Sequence, residues 1–128
     1  MTPRLHFHPN SLSDPSFEAY LRDIRRHLDY RDVKEQVLPK LFESIEQFSN
    51  GVNFRFTCTN RFEGQYPALR IQSPVGFVPD VIDIELHPRQ GVFGVKQAGQ
   101  EFKVEGLENL TNHLRVVLVM GLAHWSPA

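Results

Sequence analysis

Asp83, Glu85 and His87 occupy alternate positions of one short segment, so an extended backbone would aim all three side chains at the same face. Two carboxylates and an imidazole are materials for acid–base or metal-assisted chemistry. They are equally what a solvated strand face displays, and no second cluster elsewhere in the sequence converges on them. His6 and His8 share the same spacing, but a metal centre takes three or four ligands and two imidazoles do not supply them. No metal site is expected.

Cys58 is the only thiol and falls on the apolar side of Val52–Thr59 with Phe54 and Phe56. A nucleophilic cysteine needs a thiolate held by a base or a helix N-terminus. On an apolar face it reads instead as a small hydrophobic filler. His113, beside a helical apolar stripe, reads as a hydrogen-bonded packing residue. The chain has no dinucleotide fingerprint, no phosphate-binding loop, no nucleophile elbow and no H-E-x-x-H pair. No cofactor is expected, and the reading leans away from catalysis.

Arg55, Arg61 and Arg70, with Gln72, form a second set on the polar faces of neighbouring strands and the loop between them. An open sheet face of this kind could receive RNA or single-stranded DNA. Such platforms pair basic groups with aromatics for base stacking, whereas Asn53, Arg55, Thr57 and Thr59 are the outward positions here. The 14 basic and 15 acidic residues give a net charge of −1, with neither half of the chain hiding a pole. Proteins that neutralise many phosphates show a basic excess, so nucleic acid is a disfavoured partner.

Two apolar features fit a lone monomer less comfortably. Pro74-Val75-Gly76-Phe77-Val78-Pro79 sets three apolar side chains in a loop stiffened by two prolines, which lowers the entropy cost of presenting Phe77 to a partner. Alternatively, Phe77 folds back to plug the end of the core. Val116 through Ala123 carries no charged or polar side chain for eight residues. A helix lying on one face of a sheet should expose polar groups every few positions. Val116, Val119 and Met120 therefore need cover from the first helices, from the tail carrying Trp125, or from a second subunit. Burial on a partner would be worth about 1.5–3 kcal/mol per side chain.

The elements that must position these residues follow from periodicity. Residues 1–13 read as a flexible lead-in. Asp14-Pro15 reads as an N-cap and first helical residue, and Phe17, Tyr20, Leu21, Ile24 and Leu28 recur at helical spacing. Val33, Val37, Leu41, Ile45 and Phe48 resume a stripe that Pro39 interrupts, either kinking one helix or separating two. Val52–Thr59, Tyr66–Ser73, Val81–His87, Val92–Lys96 and Glu101–Glu105 read as strands. Short polar links between them argue for an antiparallel meander, since parallel strands need long crossovers. From Leu107 the period is helical again, although the β-branched run at 115–120 also suits a strand.

The expected fold is α+β: N-terminal helices, a meander of about five strands and a C-terminal helix, with the helices on one sheet face. Residues 14–128 suffice for a single domain, and ten Phe with 41% hydrophobic residues supply its core. No run resembles a signal peptide or a membrane span, and one cysteine suits a reducing, cytoplasmic setting. The expected function is a non-catalytic protein-interaction domain (inhibitor, immunity-type, chaperone-like or adaptor) that self-associates as a homodimer. Its partner-binding residues would be Val75, Phe77, Val78, Val116, Val119 and Met120. The alternatives are nucleic-acid binding through Arg55, Arg61 and Arg70, and a small enzyme built on Asp83, Glu85 and His87.

Overall fold

The computed structural model describes residues 4–7, 15–24, 27–46 and 55–125. Six strands form one sheet in sequence order: β1 (Arg4–Phe7), β2 (Arg55–Arg61), β3 (Ala68–Gln72), β4 (Val81–Leu86), β5 (Val92–Gln97) and β6 (Gln100–Glu105). β2 to β6 are a continuous antiparallel meander, as the short polar links imply. The helices are α1 (Pro15–Ile24), α2 (His27–Asp32), α3 (Leu38–Glu46) and α4 (Leu107–His124).

β1 lies inside the segment read as a flexible lead-in. It pairs parallel with β2, Leu5 opposite Phe56 and Phe7 opposite Cys58. Four residues give too few alternations to register as a period, and the pairing that makes them a strand is contributed by a segment about fifty residues away. His8 lies outside the described residues.

Pro39 falls in the first turn of α3, which follows α2 without a break in the helical run. Between α2 and α3, Val33–Val37 forms a π-helical turn in which the Leu38 N–H reaches the Val33 carbonyl. The wider turn comes directly before the residue that lacks an N–H, where an α-helical ladder would lose a bond and gain a clash. Val33, Val37, Leu38, Leu41 and Ile45 all remain buried through it. Residues 115–120 are helical, not a strand, within the single run of α4.

One face of the sheet packs against the helices. Phe56 and Cys58 from β2, Leu69 and Ile71 from β3, Ile82, Ile84 and Leu86 from β4, and Phe93 and Val95 from β5 are fully buried there. Phe17, Leu21, Leu110, Leu114 and Leu118 close on them from the helices. This is the period-2 and period-3.6 patterning carried into one core. Among the described residues no helix is long and apolar enough to cross a membrane.

Candidate functional site

The sheet face away from the core is polar, yet its central strand is not solvated. Asp83, Glu85 and His87 are only 6%, 3% and 9% exposed. The register explains this. β4 is flanked on both sides, and longer basic side chains from the neighbouring strands lie over its carboxylates. Arg70 sits directly across from Asp83 on β3, and Lys96 directly across on β5.

Asp83 is gripped twice. Arg70 donates through Nε at 2.8 Å and through a second guanidinium nitrogen at 3.0 Å, and Arg61 donates from the end of β2 at 2.7 Å. The bidentate hydrogen bond to Asp83 raises the Arg70 pKa above its ordinary value. Glu85 takes the Lys96 ammonium at 3.1 Å, and this bond raises the lysine's pKa in turn. His87 stacks on Tyr66 with ring centroids 4.3 Å apart. Gly94 makes room for this layer: a Cβ there would lie 2.6 Å from His87 Nε2 and 3.2 Å from a Glu85 oxygen.

The expectation of an open, solvated acid stripe is therefore corrected. The three residues do share a face, but Asp83 and Glu85 are each neutralised by cations held in place. A general acid or base must be free to exchange its proton with a substrate. An open cleft of about 380 Å³ begins beside Asp83 and runs along the β5–β6 turn past Lys96, Gln97, Gly99 and Glu101. Among the described residues no group of three His, Cys, Asp or Glu side chains is arranged to hold a metal.

Arg61 and Arg70 are brought together, but over Asp83 rather than toward an open platform. Their charge is partly cancelled, which weakens the reading of this face as a nucleic-acid surface. The Arg55 side chain lies outside the described residues. Cys58 is fully buried, and burial pushes its thiol up to about 12, far from a nucleophilic thiolate. His113 Nε2 donates to Gln97 Oε1 at 3.1 Å, and the ring packs on Phe102.

The apolar candidates separate into two groups. Phe77 does not face outward; it is buried edge-on against Phe56 and beside Trp125, plugging the end of the core. The reason is Gly121, whose missing side chain lets α4 rest on the Phe77 ring. With Phe77 turned in, Val75 and Val78 turn out, 97% and 71% exposed. Their loop is held by Trp125 Nε1 donating to the Val75 carbonyl at 3.0 Å and by Ser73 Oγ donating to the Pro79 carbonyl at 2.9 Å.

On α4, Val116 and Met120 are 56% and 59% exposed, and Val119 is half-buried. Leu114, Leu118 and Gly121 take the core side of the same helix. The strip starts at a definite place. His113, which touches β6 through Phe102, lies three residues before Val116 and seven before Met120, on the same side of the helix.

Sequence reasoning passed over Lys96, Tyr66 and Gly94, which complete the polar layer, and Phe102 at the sheet edge. Only the register of β4 against β5 could have nominated Lys96 and Gly94, and that of β3 against β4 Tyr66. The chain matches no family model, no curated protein and no solved structure. The class that its architecture defines is an α+β domain with a single helix-covered sheet.

Proposed function

We propose that the chain is a non-catalytic protein-interaction domain that works as a homodimer, with the exposed side of α4 as part of its contact surface. One observation carries the reading: Val116 and Met120 stand exposed on a helix whose opposite side is core, with Ala123 exposed one turn further. Exposed large apolar side chains in series mark contact surfaces. The locked state of Asp83 and Glu85 and the buried, protonated Cys58 support a non-catalytic role.

The occupant is a second copy of the chain. At its start the strip lies near the free edge of the sheet, because His113 on the same side of α4 packs on Phe102 of β6. The test is sedimentation velocity on the wild type and on Val116→Asp/Met120→Asp. Both substitutions lie on the solvent side of α4, so the circular dichroism of the variant should match the wild type. The wild type should sediment as a dimer at tens of micromolar and the variant as a monomer. A wild type that remains monomeric across the concentration series, or a variant that associates like the wild type, overturns the proposal.

A further inference from the structure

β6 ends the sheet, and among the described residues no strand lies beyond it. Its hairpin with β5 turns on Ala98 and Gly99, both with positive φ (48° and 75°), the geometry of a two-residue turn whose flanking pair is hydrogen-bonded. That flanking pair is Gln97 and Gln100. Pairing then alternates, so Gln100, Phe102 and Val104 exchange main-chain bonds with β5. Gly106 continues the pattern, donating its N–H to the Gly91 carbonyl at 2.7 Å. The main-chain groups of Glu101, Lys103 and Glu105 accordingly point off the edge. Asn109 Nδ2 closes one end by donating to the Glu105 carbonyl at 2.8 Å. Glu101 and Lys103 are left offering both an N–H and a C=O.

The charges above this edge are ordered. Along one cross-strand row of the polar face, Arg70 faces Asp83, Asp83 faces Lys96, and Lys96 faces Glu101. The signs alternate strand by strand, and the row stops on an anion. A further strand would complete it by placing a cation beside Glu101. On the opposite face, Phe102 is 37% exposed at the same edge, where a core-facing position would ordinarily be covered.

We infer that β6 pairs antiparallel with β6 of a second copy, in the register centred on Phe102. This rests on the homodimer reading above and goes further by naming the edge, the register and the residues that select it. In this register Glu101 lies opposite Lys103 of the copy and Lys103 opposite its Glu101, and each pair exchanges main-chain hydrogen bonds. The charge row thereby gains the cation it lacks beyond Glu101, Lys103 of the copy, which faces the side-chain-free Gly94 on its own β5. Phe102 meets its counterpart in a close, non-hydrogen-bonded pair with Cα atoms about 4.5 Å apart. Sliding the register by one residue, to a centre on Lys103, would set Lys103 against itself and Glu101 against Glu105. Like charges directly opposite oppose pairing. The register centred on Val104 needs the Glu105 carbonyl that Asn109 already holds. The two-fold axis stands perpendicular to the sheet, so both α4 helices lie on one side of it, with His113 of each beside Phe102 at the seam. The edge is thereby covered, the usual resolution of an unpaired strand.

Two sets of variants test this. Lys103→Glu turns both cross-strand ion pairs into repulsions and should weaken dimerisation about tenfold or more. The double swap Glu101→Lys/Lys103→Glu should restore it, and so should mixing Lys103→Glu with Glu101→Lys, which form a heterodimer with every pair matched. Phe102→Cys should crosslink to itself under a copper oxidant, because its Cα separation suits a disulfide. Lys103→Cys should not. A dimer that ignores Lys103→Glu, or that crosslinks through Cys at 103 rather than 102, overturns the β6 pairing while leaving the α4 reading intact. A chain that is monomeric throughout overturns both.

Discussion

Asp83 and Arg70 face each other directly across β3 and β4 and are joined by two guanidinium bonds, while Arg61 reaches the same carboxylate from β2. The arrangement is asymmetric: one nearly buried anion serves two cations that are each about a third exposed. Removing the anion should therefore cost more than removing either cation. Asp83→Ala leaves two guanidiniums crowded without a counter-charge and should lower stability by about 1–3 kcal/mol. Arg70→Ala leaves Asp83 with Arg61, and solvent screening should hold its cost nearer 1 kcal/mol. Urea melts of the two variants check the order, and equal midpoints would contradict it.

Gly121 decides the packing of Phe77. Replacing a mid-helix glycine by alanine ordinarily stabilises by roughly 0.5–1 kcal/mol through backbone entropy. Here the added methyl would lie 2.5 Å from Phe77 Cε1 and 2.6 Å from the Val78 carbonyl oxygen. Overpacking costs typically 1–3 kcal/mol and should win. Gly121→Ala is thus expected to lower the melting temperature, with Gly121→Ala/Phe77→Leu recovering part of the loss.

Cys58 should report opening of the core. Its thiol is buried and shifted up to about 12, so at pH 8 it is both inaccessible and protonated. A chromogenic disulfide reagent should leave the native chain untouched for hours and react within minutes in denaturant. Prompt reaction of the native protein would show that β1, β2 and the helices above them separate readily.

His113 supplies a pH dependence with a definite sign. Burial lowers its pKa from 6.5, so the unfolded chain binds the proton more readily than the folded one. Stability should be level above the unfolded value near 6.5 and fall as the pH drops below it, because protonation then favours unfolding. His113→Gln keeps a hydrogen-bonding partner for Gln97 and removes the titration. Its urea midpoint should fall less than that of the wild type between pH 7.5 and 5.5.

The polar layer shows where sequence reasoning reached and where it stopped. That Asp83, Glu85 and His87 share a face follows from the period of a strand, which is local. That this face is roofed by Arg61, Arg70 and Lys96 follows from register, which depends on which strands are neighbours and how far each has slid. The same division separates Val75 and Val78 from Phe77. One stiff loop could aim any of the three outward, and the choice fell to a glycine more than forty residues away. β1 was missed for a related reason, since its identity lies in its parallel partner and not in its own four residues.

By itself, then, the sequence determined the kinds and order of the elements, because helical and strand periods are written within a few residues of each other. It determined the core as well, since Phe56, Ile71, Ile82, Phe93 and Leu118 have nowhere else to put their apolar surface. Tertiary structure alone decided which charges are neutralised, which apolar side chains remain outside and which strand ends the sheet. Those outcomes depend on contacts between residues far apart in the chain, whose energies no local pattern records.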